Sequence, residues 1–165
     1  MSSSISNTSP NAYYQSEDNE DYTIGIVVSD YYSEITHKLL DASIQVLTQY
    51  GVKEKNIEVL NMPGAFELIY GLGRMVENHE YDGIIALGCV IKGDTDHDKY
   101  INQAVANSIA QLTLEYNIPI SFGLLTTNTL QQAEDRSGGA LGNKGEEAAL
   151  AILSALNAKP ISVKK

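Results

Sequence analysis

The densest cluster of polar side chains in the chain spans residues 92–98, with the sequence KGDTDHD. It directly follows a long apolar stretch, and it places His97 between two aspartates. Imidazole is the side chain whose ordinary pKa lies closest to neutral pH, so a histidine at this point suits proton transfer. A histidine in a polar loop can equally be a plain surface residue, and the residue types alone leave both interpretations open.

A metal site is a weaker interpretation of the same cluster. A metal ion needs several ligands at matching spacing, whereas His37 and His79 fall in helices predicted elsewhere in the chain. Cys89 lies inside the apolar stretch and is better explained as a buried thiol. We therefore predict that the site contains no metal ligand.

Two other turns carry side chains that could hold an organic ligand. Tyr31 and Tyr32 follow the first apolar stretch. Such a pair either packs against the core, which composition alone favours, or stacks on a planar ring. Glu67 follows Pro63-Gly64 at the start of a predicted helix, where its carboxylate either stabilises the helix dipole or accepts hydrogen bonds from ligand hydroxyls. Neither interpretation of Glu67 is preferred.

Arg136 stands before the glycine-rich segment 137–145. An arginine beside such a turn can bind phosphate through two parallel hydrogen bonds, and the alternative is an ion pair with Glu134 or Asp135. The segment is not a P-loop, because Lys144 does not directly follow the second glycine and no Ser or Thr comes after it.

Alternating strand and helix patterns surround these polar clusters. Apolar stretches predict strands over residues 23–29, 56–62, 83–91 and 120–126. Helical periodicity predicts helices over residues 33–50, 65–78, 100–116, 130–136 and 144–158, with a polar loop over 92–99 and a glycine-rich link over 137–143.

Strands that are apolar on both faces and alternate with helices are typical of a parallel sheet covered on both sides. We therefore predict a three-layer α/β/α sandwich, flavodoxin-like, with a central four-stranded parallel sheet. In such a sheet ligands bind outside the carboxyl ends of the strands. Those ends are the segments after Ser29, Met62, Ile91 and Thr126.

Length and charge limit the classes of function. The chain has 165 residues, enough for one domain, and its 21 acidic and 11 basic residues give a net charge of −10. That charge argues against nucleic acid or a membrane surface as a partner, although a small anionic ligand needs only a local cationic pocket. Cys89 is the single cysteine, which excludes an internal disulfide, and no apolar run approaches the ~20 residues that span a bilayer.

We predict a flexible polar and acidic tail over residues 1–21 and a domain over 22–165. The tail is rich in Ser, Asn, Asp and Glu and has no apolar periodicity. Tyr13 and Tyr14 leave open that a short stretch becomes ordered by pairing with a neighbouring chain. Because the start has neither the basic region nor the apolar core of a secretory signal, we expect a cytoplasmic protein.

Five motifs, in order along the chain, resemble those of the 6,7-dimethyl-8-ribityllumazine synthase family. They are PGAFE at 63–67, ALGCVIKGDT at 86–95 followed by His97, FGLLTT at 122–127, QA at 132–133 followed by Arg136, and GNKGEEAA at 142–149. The resemblance covers about residues 22–158, and the shared order makes it specific although each motif alone would be weak.

The resemblance implies a transferase of riboflavin biosynthesis, without a metal or redox cofactor. It condenses 5-amino-6-(D-ribitylamino)uracil with 3,4-dihydroxy-2-butanone 4-phosphate. The residues that it assigns to the pyrimidine ring are Tyr31, which stacks on it, Phe122, which flanks it, and Cys89, Val90 and Ile91, which line its slot. Those that it assigns to the ribityl chain are Ala65, Phe66 and Glu67, with Glu67 accepting hydrogen bonds from the hydroxyls.

The resemblance also assigns the second substrate and the chemistry. Asp94 and Thr95 would hold the butanone phosphate with backbone N–H groups and a hydroxyl. Arg136 would bind its phosphate group, and His97 would transfer protons. Supporting members of the site, Lys144 and Glu147, lie at the start of the last helix and could come from a neighbouring subunit.

Two segments depart from the family pattern. Asp30-Tyr31-Tyr32 stands where the family commonly has Arg-Phe-Asn, which retains stacking but changes the local hydrogen bonds. Residues 95–99 (TDHDK) stand where the family commonly has Thr-Pro-His-Phe-Asp. The histidine is retained with far more polar neighbours, so we predict a working site with altered loop flexibility.

The resemblance further implies a homo-oligomer. These enzymes form pentamers with active sites between adjacent subunits, and some stack twelve pentamers into an icosahedral 60-mer shell. The short link after Arg136 favours the shell, with riboflavin synthase as a candidate enclosed partner. The alternative function is a non-catalytic flavin- or lumazine-binding or scaffold homologue, which the joint presence of His97 and Arg136 disfavours.

Overall fold

The central element of the fold is a four-stranded parallel sheet. A computed structural model describes residues 13–78 and 80–160 of the chain. The strands are β1 (Ile24–Ser29), β2 (Ile57–Met62), β3 (Gly83–Ile91) and β4 (Ile120–Thr127), in the spatial order β2-β1-β3-β4. All three strand pairings are parallel, which confirms the predicted sheet.

Helices cover both faces of this sheet. They are α1 (Ser33–Gln49), α2 (Leu68–Glu77), α3 (His97–Tyr116), α4 (Leu130–Asp135) and α5 (Lys144–Asn157). Alternate residues of the central strands enter two separate cores: Ile85 and Leu87 of β3 pack with α1 and α5, whereas Ile84 and Ala86 pack with α2 and α3. The three-layer α/β/α sandwich is therefore confirmed.

The central strands are apolar because both of their faces are buried. Every residue of β1 is buried, and so is β3 up to its last residue. The outer strand β2 exposes half of its residues, which is why polar residues such as Glu58 and Asn61 occur there. Among the described residues, no helix is both long enough and apolar enough to cross a membrane.

Helix α3 begins earlier than predicted. The sequence suggested a polar loop over residues 92–99, but α3 starts at His97, so that part of the loop prediction is wrong. Its first turn contains Asp98, and an acidic side chain is favourable there because it faces the positive end of the helix dipole. Lys99 forms an ion pair with Asp96 over 2.8 Å across the same turn.

The glycine-rich link is also more regular than predicted. Residues Ser137–Gly139 (β5) and Gly142–Asn143 (β6) form a small antiparallel pair before α5. Gly138 and Gly142 have φ angles of 104° and 83°, in the left-handed region that glycine adopts without strain.

The segment before β1 packs against the domain. Residues Glu17–Asp21 form a short 3₁₀ helix, and Asn19 within it is fully buried. The Asn19 amide donates to the carbonyl oxygens of Tyr14 and Tyr50 at 2.8 and 2.7 Å, and its oxygen accepts from Asn157 at 2.8 Å. This part of the expected flexible tail therefore has defined contacts, while residues 1–12 of the tail and residues 161–165 of the domain lie outside the described residues.

Candidate active site

A cleft of about 440 Å³ opens at the carboxyl ends of the strands, where the parallel sheet predicts a ligand site. Its walls come from the turn after β1, the turn after β2, the end of β3 and the start of α3. The lining residues are Tyr31, Tyr32, Gly64, Ala65, Phe66, Glu67, Cys89, Val90, Ile91, Gly93, Thr95, His97, Asp98 and Ile101.

Two tyrosines form the aromatic wall of the cleft. The rings of Tyr31 and Tyr32 meet edge to face, with centroids 4.8 Å apart and an interplanar angle of 81°. Tyr31 is 64% exposed, so composition was a poor guide when it favoured packing in the core. Tyr32 precedes α1 with φ 59° and ψ 48°, a left-handed conformation that is unusual for a bulky residue.

Asp30, beside this wall, connects two elements. Its Oδ1 accepts a hydrogen bond from Asn61 of β2 at 3.2 Å and lies 3.2 Å from Nε2 of His37 in α1. His37 therefore contacts Asp30 and is not among the residues that line the cleft. This agrees with its prediction as part of a helix outside the polar cluster. His79, the other histidine outside the polar cluster, lies outside the described residues.

The turn before α2 presents a carboxylate. Glu67 Oε2 lies 2.6 Å from the point that a Cβ on Gly64 would occupy, so the absent side chain of Gly64 leaves room for the Glu67 carboxylate. Within the described part of the chain, the Glu67 side chain forms no hydrogen bond or ion pair. Its oxygens are available to accept hydrogen bonds from a ligand.

His97 begins α3, lines the cleft and is exposed. Its backbone N–H donates to Thr95 Oγ1 over 3.4 Å, which connects the loop to the helix. The imidazole is accessible to a ligand and to water, as a group that transfers protons must be.

Cys89 lines the cleft from the end of β3 but is 2% exposed. Burial raises the pKa of the Cys89 thiol to about 11. A thiol that keeps its proton at neutral pH is a poor nucleophile and a poor metal ligand. No group of three or more His, Cys, Asp or Glu side chains in residues 13–78 and 80–160 could hold a metal ion.

The charges of the cleft favour a ligand rich in hydrogen-bond donors. Glu67 and Asp98 contribute two carboxylates, and among the described residues that line the cleft there is no Lys or Arg. Hydroxyl and amino groups can donate to these oxygens. A phosphate group, in contrast, would need a cation from elsewhere.

Comparison with known proteins agrees with the sequence motifs. The family model for 6,7-dimethyl-8-ribityllumazine synthase matches residues 21–159. The chain is 45% identical to the 6,7-dimethyl-8-ribityllumazine synthase of Parabacteroides distasonis over 157 residues, which cover 95% of this chain and 98% of that protein. It is 49% identical to that of Bacteroides fragilis over 133 residues, which cover 81% and 93%. The chain belongs to the 6,7-dimethyl-8-ribityllumazine synthase family.

Nine of the site residues that we assigned from the resemblance to this lumazine synthase family lie together in the cleft. They are Tyr31, Ala65, Phe66, Glu67, Cys89, Val90, Ile91, Thr95 and His97. Each of them follows or ends a strand, at the edge of the sheet where the parallel topology predicts a ligand site. Asp94 lies in the loop between Gly93 and Thr95, which both line the cleft, but it is not a lining residue itself.

Four other assigned residues lie apart from the cleft within one chain. Phe122 is 39% exposed on the outer strand β4. Arg136 follows α4 and is exposed, and within residues 13–78 and 80–160 its guanidinium forms no hydrogen bond or ion pair. The expected alternative of an ion pair with Glu134 or Asp135 is therefore wrong. Lys144 donates to Glu147 Oε2 over 2.8 Å on the first turn of α5.

The sequence analysis did not assign Asp98 and Ile101 to the site, although both line the cleft. A signal was available: Asp98, Ile101, Val105 and Ile109 repeat at intervals of three and four residues, which places them on one face of a helix. The predicted loop over residues 92–99 concealed this periodicity.

Proposed function

We propose that the cleft is one half of an active site that forms 6,7-dimethyl-8-ribityllumazine. The reaction condenses 5-amino-6-(D-ribitylamino)uracil with 3,4-dihydroxy-2-butanone 4-phosphate and releases phosphate and water, the penultimate step of riboflavin biosynthesis. The observation that carries the proposal is the convergence of an aromatic wall, a free carboxylate and His97 in one cleft of a chain that belongs to this family.

The uracil substrate occupies the cleft. Its ring stacks on Tyr31 and lies in the slot formed by Cys89, Val90 and Ile91, since an exposed aromatic face and the end of a strand offer both stacking and backbone hydrogen bonds. The ribityl chain follows Ala65, Phe66 and Glu67. The Glu67 carboxylate accepts hydrogen bonds from its hydroxyls.

His97 moves protons during the condensation. The amine attacks the ketone and water is lost to give an imine, phosphate is eliminated, the resulting enol isomerises, and ring closure releases a second water. Each of these steps transfers a proton, and an imidazole can serve both as the donor and as the acceptor of a proton, so one histidine can accelerate several of them. Holding the two substrates side by side supplies further acceleration.

The phosphate group needs a cation, but no described lysine or arginine lines the cleft of a single chain. Arg136 is exposed and without an ionic partner among the described residues, and Phe122 is exposed on the outer strand. We infer that a neighbouring copy in a pentamer supplies Arg136, Phe122, Lys144 and Glu147. The backbone N–H groups of Asp94 and Thr95 and the Thr95 hydroxyl of the first copy donate hydrogen bonds to the same phosphate. Arginine suits this task because it stays charged while phosphate binds and leaves.

The short β5–β6 link supports assembly of twelve pentamers into a 60-subunit shell, with riboflavin synthase as a candidate enclosed partner. Light scattering of the purified protein tests this part: a particle of pentamer mass would contradict the shell and leave the shared site in place. We place the enzyme in the cytoplasm.

The test of the function is direct. The purified protein is incubated with both substrates, and formation of the lumazine is followed by its fluorescence together with the release of inorganic phosphate. We expect both signals to rise together. A protein that binds the lumazine without forming it would instead be a non-catalytic homologue.

A matched pair of arginine variants tests the phosphate role. We expect Arg136→Ala to raise the KM for the butanone phosphate by about 10- to 100-fold, because a charge-assisted bidentate contact is lost. Arg74→Ala removes an arginine of α2 that is also exposed and should leave that KM unchanged. Equal effects of the two substitutions would contradict the assignment.

A further inference from the structure

The first turn of α3 contains a carboxylate in an apolar position. Asp98 lies seven residues before the fully buried Val105, and Ile101 lies between them on the same face of the helix. Asp98 and Ile101 both line the cleft. Asp98 therefore begins the face of α3 that turns towards the sheet, and Asn102, four residues further on, is a second polar residue near this face whose Oδ1 is also shielded.

One oxygen of this carboxylate has no partner. Asp98 Oδ1 is shielded from solvent and, among residues 13–78 and 80–160, accepts no hydrogen bond. The neighbouring cation, Lys99, is already paired with Asp96. A buried acceptor without a donor is costly, and the large majority of such groups in folded proteins are paired.

The surroundings of Asp98 indicate what kind of group would pair with it. The other carboxylate of the cleft is Glu67, and no described lysine or arginine lines the cleft. The position therefore favours a neutral or cationic N–H or O–H donor and disfavours a phosphate, whose negative charge would be repelled.

We propose that Asp98 is a specificity-determining residue of this cleft: its carboxylate accepts a hydrogen bond from an N–H or O–H group of the bound substrate and excludes phosphate from the inner part of the site. The proposal rests on the proposed function. Of the two substrates, the ribitylaminouracil carries amino, ring N–H and hydroxyl donors, whereas the butanone carries the phosphate. Asp98 thus favours the ribitylaminouracil in the inner part of the site and keeps the phosphate of the butanone in the outer part.

The test separates the two substrates. In the assembled full-length protein, Asp98→Asn keeps the shape of the side chain and removes its charge. We expect the Kd of the ribitylaminouracil, measured by calorimetric titration, and its KM to rise by about tenfold, with the KM for the butanone phosphate unchanged or lower. Inorganic phosphate should compete with the ribitylaminouracil more strongly in this variant than in the wild type.

Two further variants serve as controls. Asp96→Asn removes a neighbouring carboxylate that is exposed, paired with Lys99 and absent from the cleft lining, and it should leave the affinity for the ribitylaminouracil unchanged. Asp98→Glu keeps the charge, so it should restore part of the affinity that Asp98→Asn loses. Thermal unfolding of each variant reports any change in the stability of α3.

The possible results distinguish the two proposals. Wild-type protein that binds the ribitylaminouracil but forms no lumazine would contradict the proposed function, while the Kd comparison would still decide the role of Asp98. Equal Kd values for the wild type and Asp98→Asn would overturn the proposal for Asp98. The same holds if Asp98→Asn lowers the unfolding temperature and leaves both Kd and KM unchanged, because the carboxylate would then serve only the helix.

Discussion

Helices α5 and α3 cover opposite faces of the sheet, but they are packed very differently. Gly145 of α5 approaches α1 so closely that a Cβ would overlap the carbonyl oxygen of Leu39. The Ser43 hydroxyl lies within hydrogen-bond distance, 2.9 Å, of the carbonyl oxygens of both Leu39 and Gly145. Both sides of this contact belong to one chain, and the two backbones are too close to accept a side chain larger than that of glycine at position 145.

Helix α3 has a much more open surface. Although it has 20 residues, Val105 and Ile109 are its buried positions in the described structure, and Leu114 and Tyr100 are 84% and 73% exposed. The helix that carries His97 is therefore the less enclosed of the two. The α1–α5 contact is therefore the more tightly packed of the two, whereas the first turn of α3 lines the open cleft.

The largest effect should come from disturbing the close contact. Gly145→Ala places a methyl group against the backbone of α1, which cannot rotate away, so we expect the free energy of unfolding to fall by about 3 kcal/mol or more. Urea unfolding measures this change. As a control, Gly73→Ala in α2 meets no atom within 4 Å and should be neutral or stabilise by about 0.5–1 kcal/mol. Equal effects of the two substitutions would show that the α1–α5 contact is not the constraint that we infer.

On the open side, the expected effect is on rate. His97→Ala should lower kcat by about 10²- to 10⁴-fold, because proton transfer is lost, and should leave the free energy of unfolding nearly unchanged. Steady-state kinetics and urea unfolding of the same sample measure both quantities. His37→Ala, on α1, should retain kcat. Full activity of His97→Ala would remove the histidine from the mechanism.

Fold and site differ in how well they could be predicted from the sequence. Strand β3 was predicted with its observed bounds because a strand buried on both faces is continuously apolar. The two-residue strand β6 was not predicted, because so short a strand carries no periodicity. The contacts of Asn19 were not predicted either, because one buried polar residue in an acidic segment gives no pattern.

For the site, the rule that ligands bind outside the carboxyl ends of parallel strands indicated the segments that follow β1, β2 and β3. It could not place Arg136, which follows a helix and is not among the residues that line this cleft. Asp98 was missed because the start of α3 was mistaken for a loop, and the orientation of a side chain depends on where its helix begins. Sequence patterns therefore predicted the helices and strands better than they predicted where each of them begins and ends, and the candidate site residues lie at those ends.

A pH-dependent effect should follow from Cys89, which faces the α1–α5 core although it also lines the cleft. Burial raises its pKa from 9.0 to about 11, so the folded protein holds this proton more tightly than the unfolded chain. The resulting stability is present below pH 9 and is lost as the pH rises towards 11. Urea unfolding across this range should show a smaller loss for Cys89→Ala than for the wild type. An identical loss in both proteins would show that the Cys89 thiol is not the group responsible.

The smallest effect concerns the two non-glycine residues with positive φ in the described chain. Tyr32 precedes α1 with φ 59°, and Asn117 follows α3 with φ 50°. Asparagine tolerates this conformation better than tyrosine. We expect Tyr32→Asn to raise, and Asn117→Tyr to lower, the free energy of unfolding by up to about 1 kcal/mol, as measured by urea unfolding. Changes of the same sign would contradict this explanation.

The most direct test of the account uses subunits that carry different substitutions. His97→Ala and Arg136→Ala subunits with different affinity tags are co-expressed, and assemblies that retain both tags are assayed for lumazine formation. If each site combines His97 of one copy with Arg136 of the next, about a quarter of the sites contain both side chains, because random mixing makes one interface in four intact. The assay uses the butanone phosphate well below its wild-type KM, where Arg136→Ala alone should retain at most about a tenth of wild-type activity and His97→Ala about a hundredth or less. Under these conditions we predict that the mixed assemblies recover about a quarter of wild-type activity. Assemblies that contain both subunits but show no recovery would contradict a shared site.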